Sequence, residues 1–269
     1  MIPAGAPIIR TDRLTRRFDD LVAVRELTFE VAAGTIFGLL GPNGAGKSTL
    51  IKMLTTLLPP SSGTAFIAGY DIVSQAQEVR RHIGYVSQML SADGDLTGYE
   101  NLLISAKLYG LSRADRSARI AQALAMMQLE DAKNRLVRHY SGGMIRRLEI
   151  AQSMLHRPEV LFLDEPTVGL DPNAKHSVWQ RIGDLREHYG TSVLMTTHDM
   201  EEADRLCETV AFMHQGNLLA SGTPAQLKQS LGSGASLNDV FIHYAGASIE
   251  EGGNLRDVAQ IRSTARRLE

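Results

Sequence analysis

The sequence predicts an α/β fold in which a mostly parallel sheet carries an N-terminal antiparallel layer and a helical insert. Three observations support this class. Apolar strand-like runs alternate with helical patterns along most of the chain, which favours parallel pairing. A glycine-rich loop joins one such strand, residues 34–40, to a helix. The stretch 97–157 shows helical patterns without strands.

The first strands precede the glycine loop. IIRTDRLTRRF and LVAVRELTFEV, within residues 8–31, alternate apolar and polar residues as half-buried strands do. GTIFGLL is typical of a short buried strand, and a helix is predicted from about Lys47 to Leu57. PPSSGTAFIAG predicts a turn into a strand, and HIGYVSQ predicts one more. The N-terminal strands are expected to form a small antiparallel layer beside the main sheet.

The helical insert has end signals on both sides. Thr97 and Glu100 have the spacing of a capping box. SGGMIRRLEIAQSMLHRP predicts a helix that continues up to Pro158. VLFLDEP then predicts a buried strand, and Asp171 followed by Pro172 predicts a helix start with an N-cap and a first-turn proline. The insert thus lies between two strands of the predicted sheet.

The last third of the chain continues the α/β pattern. SVLMTTH predicts a strand, Asp199 and Glu202 again have capping-box spacing, and TVAFMHQGNLLASG predicts a hairpin about Gly216. After Leu231 the periodicity is lost, and the last 20 residues are polar, glycine-rich and then arginine-bearing. We predict one domain over residues 1–231 and a C-terminal extension or tail over 232–269, whose last 20 residues are either a loose tail or a short docking helix.

The composition disfavours several classes of function. With 28 Lys and Arg against 30 Asp and Glu, the net charge is −2, so the basic footprint of nucleic-acid-binding proteins is missing. The single cysteine, Cys207, excludes an internal disulfide and suits a reducing cytosol. No signal-peptide pattern is present, and no apolar run approaches the roughly 20 residues of a spanning helix. We expect no nucleic-acid partner and no intrinsic membrane span.

The glycine loop fits the phosphate-binding pattern G-x-x-x-x-G-K-[ST] between a predicted strand and a predicted helix. Glycine lets backbone N–H groups surround a phosphate, and the helix N-terminus adds the positive end of its dipole. The lysine can reach the outer phosphates, and the serine hydroxyl can ligate Mg²⁺. The predicted nucleotide-binding residues are Gly41, Pro42, Asn43, Gly44, Ala45, Gly46, Lys47, Ser48 and Thr49.

Two adjacent carboxylates end the predicted strand VLFLDEP. Asp164 stands where such nucleotide-binding domains place a carboxylate on the Mg²⁺ side, and Glu165 follows immediately. Like-charge repulsion makes this pair unfavourable unless the second group has a function, and polarising an attacking water is such a function. The alternative is an acidic strand end in solvent.

A second anion-binding helix start is predicted at YSGGMIRRLEIAQSML. Ser141 can cap the helix, and Gly142 and Gly143 open its first turn. A linker is the alternative for these three residues taken alone. One nucleotide does not need two such sites in one small domain, unless the second site serves a nucleotide held by another copy.

The motifs GPNGAGKST, SGGM, LFLDEP, GLD and TTH, in this order and spacing, resemble the ATP-binding cassette (ABC) ATPases, which are P-loop NTPases, over about residues 8–230. The resemblance implies that GPNGAGKST is the Walker A loop and LFLDEP is Walker B. It also implies that Gln88 is the Q-loop glutamine that approaches Mg²⁺ and couples to the transport partner. Asp171 matches the D-loop, and His198 matches the switch histidine near the γ-phosphate.

The resemblance also covers Phe18 and the Ser-Gly-Gly segment. Ser141, Gly142 and Gly143 match the signature that completes the opposite protomer's site, and Phe18 matches an aromatic that stacks on adenine. Without the family pattern, Phe18 could be core, Gln88 a polar strand end and His198 a structural side chain.

The family mechanism implies ATP and Mg²⁺ as cofactors and a homodimer that closes over two MgATP molecules. The implied roles follow the motifs: Lys47 holds the phosphates, Ser48 and Gln88 ligate Mg²⁺ with support from Asp164, Glu165 activates water, and His198 stabilises the γ-phosphate. Tyr140 and Met144 replace the usual leucine and glutamine of the signature, and methionine cannot donate the hydrogen bonds of an amide. We expect turnover to persist, because the serine and both glycines of the signature remain.

Within the family, TTLLPPSSGTAFIAGYDI, LTGYENL and SLNDVFIHYAG are similar to the daunorubicin-resistance-type exporter ATPases. Those subunits pair with multispanning permeases and expel drugs or lipid-linked compounds, which implies a peripheral position on the cytoplasmic face of the cell membrane. The apolar residues Leu102, Leu103, Ile104, Leu108 and Tyr109 are either ordinary core or a docking groove for a permease helix. A soluble ABC ATPase that acts as a regulatory or assembly switch is the alternative function.

Overall fold

A computed structural model of the protein describes residues 7–232 and 234–252. Its strands are β1 (Pro7–Phe18), β2 (Leu21–Leu27), β3 (Glu30–Ala32), β4 (Ile36–Leu40), β5 (Ser62–Ile67), β6 (Tyr70–Asp71), β7 (Ile83–Val86), β8 (Val160–Asp164), β9 (Ser192–Thr197), β10 (Thr209–His214) and β11 (Asn217–Gly222). Its α-helices are α1 (Lys47–Leu54), α2 (Ala76–His82), α3 (Gly98–Leu108), α4 (Arg113–Met126), α5 (Gly142–Met154), α6 (Pro172–Tyr189), α7 (Met200–Leu206), α8 (Pro224–Gln229) and α9 (Leu237–Gly252).

The main sheet has six strands in the order β11-β10-β4-β9-β8-β7. All of its pairs are parallel except β10 with β11, which form the predicted hairpin. A second, antiparallel sheet has the order β2-β1-β5-β6, with β3 paired to β1. The predicted fold class is confirmed.

The central strands divide their side chains between two cores. In β4, Phe37 and Leu39 belong to the core shared with the antiparallel sheet, whereas Ile36 and Leu40 belong to the core shared with the helices. Because successive side chains of a strand point to opposite faces, a strand covered on both sides is apolar at every position. The loop that follows β4 is therefore anchored from both faces of the sheet.

The helical insert consists of α3, α4 and α5, between β7 and β8 in sequence. Thr97 forms the predicted capping box, since its hydroxyl accepts from the Glu100 amide while the Glu100 carboxylate accepts from the Thr97 amide. Asp171 caps α6 as predicted, accepting from the Ala174 amide at 3.0 Å, with Pro172 in the first turn.

Several sequence-based details were wrong. Helix α1 ends at Leu54 instead of Leu57, and α5 ends at Met154 instead of continuing up to Pro158. Asp199 caps α7, but Glu202 does not complete a capping box. Its buried carboxylate accepts from Thr167 Oγ1 at 2.7 Å and from Trp179 Nε1 at 2.8 Å. The Glu202 carboxylate therefore accepts from residues distant in sequence instead of from the Asp199 amide.

The C-terminal region continues the fold beyond the predicted loss of periodicity. Helix α9 buries Val240, Phe241 and Ala245 in the core shared with the helices. The domain limit at residue 231 stays a prediction, and residues 253–269 lie outside the described part of the chain. Within the described ranges, no helix is both long and apolar enough to cross a membrane.

Candidate functional site

The glycine loop leaves the carboxyl end of β4 and enters α1 at Lys47. The lysine side chain is buried and folds back over the loop, where Nζ donates to the carbonyl oxygens of Gly41 at 2.7 Å and Pro42 at 3.1 Å. The loop is therefore closed around an ammonium group.

Glycine is required in the loop for two different physical reasons. A Cβ on Gly41 would lie 2.1 Å from the Met213 carbonyl oxygen, and one on Gly46 would lie 2.3 Å from the Ala23 carbonyl oxygen. Gly44 has a φ of +82°, yet a Cβ there would meet no atom within 4 Å. Protein packing thus requires glycine at Gly41 and Gly46, and only Gly44 faces open space that a phosphate could use.

The two adjacent carboxylates diverge at the end of β8. Asp164 Oδ1 accepts from Ser48 Oγ at 3.2 Å and from Thr196 Oγ1 at 2.6 Å. The backbone of Glu165 turns into the left-handed region, with a φ of 49°, and its amide donates to Thr196 Oγ1. This turn directs the second carboxylate to other partners and separates the two charges.

Glu165 is buried between the Lys47 ammonium and the His198 imidazole. Its Oε1 lies 3.3 Å from Lys47 Nζ, and its Oε2 lies 3.1 Å from His198 Nδ1. The hydrogen bond from His198, and then the charges of Lys47 and His198, hold the pKa of Glu165 below its ordinary value against the effect of burial. The same hydrogen bond raises the pKa of His198. The pair therefore favours an ionised glutamate beside a protonated histidine.

A cavity of about 770 Å³ opens above the loop. Of the predicted site residues it is lined by Phe18, Gln88, Glu165 and the segment 42–49. Gly41, Asp164 and His198 are one hydrogen bond away from these lining residues. The lining that the sequence did not predict is Leu21, Val22, Ala23, Arg25, Gln215 and Gly216.

Phe18 stands at the rim of this cavity and is 40% exposed, so the alternative that it is a core residue is wrong. The guanidinium of Arg16 lies 4.6 Å from the centroid of its ring. Such an exposed ring offers the flat apolar surface that a nucleobase needs.

Four predicted residues lie elsewhere: Ser141, Gly142, Gly143 and Asp171 are not among the described residues that line the cavity. Ser141 caps α5, accepting from the Met144 amide at 3.3 Å, and both Ser141 and Gly142 are exposed. A Cβ on Gly143 would lie 2.8 Å from the Ala174 Cβ, so the start of α5 packs directly on the start of α6. This helix start is exposed at Ser141 and Gly142 and does not line the chain's own cavity.

The unusual signature residues contact one arginine that the sequence did not predict. The Arg135 guanidinium lies 5.2 Å from the centroid of the Tyr140 ring and donates to Met144 Sδ at 3.2 Å. The Tyr140 hydroxyl donates to the Ala132 carbonyl at 2.7 Å. A Cβ on Gly98 would lie 2.3 Å from that hydroxyl, so glycine there makes room for tyrosine.

The apolar stretch on α3 is divided between core and surface. Leu102 is buried, and Leu103 packs against the core. Tyr109, just after the helix, stacks on the His156 ring at 4.0 Å. Ile104 and Leu108 are exposed, as are Met89 and Leu90 after β7. Both groups of exposed side chains belong to segments that contact α5.

The described residues contain no group of three or more His, Cys, Asp and Glu side chains that could hold a metal ion. A magnesium ion at the loop would therefore depend on hydroxyl, amide and phosphate oxygens together with Asp164. Such oxygens are the ligands that Mg²⁺ prefers, so the donor set around Ser48 fits this ion.

Residues 24–168 match the model of the ABC transporter family. The chain is 46% identical over 225 residues to the daunorubicin/doxorubicin resistance ATP-binding protein DrrA of Streptomyces peucetius, covering 84% of this chain and 68% of that protein. It is 42% identical over 218 residues to the Nod factor export ATP-binding protein I of Burkholderia thailandensis, covering 81% of this chain and 71% of the relative.

Solved structures show the same fold. An ATP-binding subunit of an ABC transporter superposes with a TM-score of 0.78 at 30% identity, covering 88% of this chain and 99% of that chain. The cbiO1 protein of Clostridium perfringens, part of the transporter complex cbiONQ, gives a TM-score of 0.75 at 27% identity, covering 83% of this chain and 91% of that one.

Proposed function

The chain belongs to the ABC transporter family as an ATP-binding subunit with ATPase activity, and on that premise we propose that it energises an exporter of drugs or lipid-linked compounds. The observation that carries the exporter assignment is the 40–46% identity to drug-resistance and export subunits over most of the chain. The chain works with a membrane component, and we place it on the cytoplasmic face of the cell membrane, where ATP is available.

Glu165 is the proposed catalytic base, supported by its position between Lys47 and His198 at the cavity. The Lys47 ammonium is shared by Glu165 and two loop carbonyls. An incoming phosphate attracts this ammonium, which weakens one of the interactions that keep the pKa of Glu165 low. Glu165 then becomes a stronger base toward the attacking water, while His198 stabilises the γ-phosphate.

The remaining roles follow the geometry of the loop. The amides of Asn43 to Thr49 bind the phosphates, and Phe18 stacks on the adenine. Ser48 and Gln88 would hold Mg²⁺ with support from Asp164, and the ion would neutralise charge that develops on the phosphates.

A second copy of the chain completes the site in this proposal. Ser141 and Gly142 form an exposed, capped helix start that the chain's own cavity does not use, and the buried Gly143 packs behind them on α6. A helix start of this kind binds anions through its free amides. We infer that it contacts the phosphates of the opposite copy, with Asp171 nearby in the interface, so that ATP joins the two chains.

Replacement of Glu165 by glutamine tests the catalytic part. We expect kcat to fall by about 10²–10⁴-fold while ATP affinity is retained, because glutamine removes the base but leaves Lys47 and the glycine loop in place. Glu159→Gln is the matched control, since Glu159 is a half-exposed carboxylate at the other end of the same strand. Wild-type turnover in Glu165→Gln would remove Glu165 from the role of base.

The exposed apolar residues Met89, Leu90, Ile104 and Leu108 are the proposed docking surface for a helix of the permease. Purification of the tagged chain from its native membranes, followed by mass spectrometry, should yield a stoichiometric multispanning protein. Leu108→Glu should release that protein. Leu57→Glu, a control at another exposed leucine, should retain it. A chain that is active in the cell but has no membrane partner would favour the regulatory switch instead.

A further inference from the structure

Helix α5 carries a buried ion pair that faces the segment 87–91. Arg146 Nη1 lies 3.0 Å from Glu149 Oε2, and the two side chains are only 2% and 3% exposed. Burial lowers the pKa of Arg146, whereas the charges of Glu149 and Asp164 raise it. An ion pair removed from water this completely stabilises a protein only where its remaining hydrogen-bonding groups are also satisfied.

The remaining groups of the pair are satisfied by the backbone on both sides of a two-residue tip. Arg146 Nη1 donates to the Ser87 carbonyl at 2.6 Å, and Nη2 donates to the Gln88 carbonyl at 2.7 Å. On the other side, Glu149 accepts from the Ser91 amide and, at 3.1 Å, from the Ser91 hydroxyl. Between these contacts Met89 and Leu90 project into solvent, 81% and 51% exposed.

Segment 87–91 links the nucleotide cavity to helix α5. Gln88, whose carbonyl Arg146 holds, lines the nucleotide cavity. Helix α5, which carries the pair, begins with the exposed helix start at Ser141 and Gly142. A planar guanidinium with two parallel donors fixes the orientation of a peptide segment more closely than an ammonium, which acts as a point charge.

We propose that the Arg146–Glu149 pair is a positioning element that fixes segment 87–91 to α5, so that Gln88 is held in the nucleotide site. The inference rests on the proposed role of Gln88 toward Mg²⁺. The pair holds the backbone from both sides, so a displacement of the Met89–Leu90 tip displaces Gln88 and α5 together. Neither side of the pair touches the loop that binds the phosphates, so nucleotide affinity without Mg²⁺ is independent of it.

Arg146→Lys tests the proposal, because lysine keeps the positive charge but lacks the two guanidinium donors that hold the Ser87 and Gln88 carbonyls. Arg147→Lys is the matched control on the next residue of α5. Arg147 also donates to backbone carbonyls, those of Met127 at 2.6 Å and Gln128 at 3.3 Å, but not to segment 87–91. Hydrogen exchange of the Ser91 amide is measured in the nucleotide-free chain, and kcat is measured as a function of Mg²⁺ concentration.

We expect faster exchange at Ser91 in Arg146→Lys, with kcat or Mg²⁺ affinity about 10- to 100-fold lower and ATP affinity in EDTA unchanged. Arg147→Lys should match the wild type in all three measurements. If Arg146→Lys fails to fold, the charge-neutral double variant Arg146→Met/Glu149→Leu replaces it, since no buried charge is then left unpaired.

Wild-type exchange and wild-type Mg²⁺ dependence in Arg146→Lys would overturn the proposal, as would an equal loss in Arg147→Lys. Gln88→Ala, measured alongside, separates the proposed role of the ion pair from the proposed role of Gln88 toward Mg²⁺. If Gln88→Ala shows normal Mg²⁺ dependence, the role of Gln88 fails and the proposal fails with it. If Gln88→Ala is impaired while Arg146→Lys is normal, only the ion pair loses its role.

Discussion

Gly44 and Gly46 of the nucleotide loop share a left-handed backbone but have different surroundings, and alanine at each position separates the two effects. The φ angles are +82° and +105°. A Cβ on Gly44 meets nothing within 4 Å, whereas a Cβ on Gly46 would lie 2.3 Å from the Ala23 carbonyl oxygen and 2.6 Å from Met213 Cε. Backbone strain alone acts at the first position, and strain plus overpacking acts at the second.

The expected free energies of unfolding follow from these two terms. Alanine in the left-handed region costs roughly 1–2 kcal/mol, and the reduced freedom of the unfolded chain offsets roughly 0.4–1 kcal/mol of this. Gly44→Ala should therefore lose about 1 kcal/mol. Overpacking adds about 1–3 kcal/mol, so Gly46→Ala should lose about 2–4 kcal/mol. At about 2–4 °C per kcal/mol, the two melting temperatures should differ by several degrees.

The assay is thermal and urea unfolding of the nucleotide-free chain, with ATP affinity measured in parallel. Gly44→Ala should be close to the wild type in stability yet weaker in ATP binding, because its methyl group occupies the open space where we place a phosphate. Equal destabilisation by the two variants would refute the packing argument. Unchanged ATP affinity in Gly44→Ala would refute the placement of the phosphate.

Two further predictions concern charge and packing elsewhere. The stabilisation by His198 beside Glu165 is fully present between about pH 4.5 and 6.5, the ordinary pKa values of the two groups, and is lost as pH rises through the raised pKa of His198. The difference in melting temperature between wild type and His198→Asn should shrink above that window, and a difference independent of pH would contradict the pairing. Phe241→Ala should lower the free energy of unfolding by about 3 kcal/mol, because its ring is buried against Phe212, while the half-exposed Ile242→Ala should lower it by less than about 1 kcal/mol. Equally small losses in urea unfolding would make α9 a loosely attached tail.

The main sheet could be predicted because its strands are recognisable from their own residues. GTIFGLL, VLFLD and SVLMTT are uninterrupted apolar runs, which buried parallel strands require. The short helices α2 and α8 and the C-terminal α9 were missed. Two of them are too short for a periodic pattern, and their helical state depends on what they pack against. Helix α9 instead buries Leu237, Val240, Phe241 and Ala245 at the spacing of one helix face, so its periodic pattern is present in the sequence.

The candidate site was predictable where residues act through local backbone geometry. The loop from Gly41 to Thr49 and the carboxylates Asp164 and Glu165 stand at strand ends that the sequence marks plainly. The remaining cavity lining comes from β2 and from the hairpin between β10 and β11. Leu21, Val22, Ala23 and Gly216 among them are apolar residues or glycine, which carry no chemical signature in the sequence. The packing of β2 and of the β10–β11 hairpin against the loop brings them there.

The ion pair on α5 shows most directly why spacing alone could not reveal its role. Glu78 and Arg81 on α2 also stand three residues apart and form an ion pair at 2.7 Å, but their side chains are 38% and 63% exposed. An exposed pair of this kind contributes about 0–1 kcal/mol to stability. Arg146 and Glu149 have the same spacing and nearly the same distance, yet the backbone of segment 87–91 covers them completely. Removal of one partner there leaves an uncompensated buried charge and several unsatisfied backbone groups. The same local pattern is thus a minor surface contact in one helix and a fixed link between a helix and a nucleotide-site segment in the other. The difference arises because the backbone of segment 87–91 covers the Arg146–Glu149 pair, whereas the Glu78–Arg81 pair is exposed to solvent.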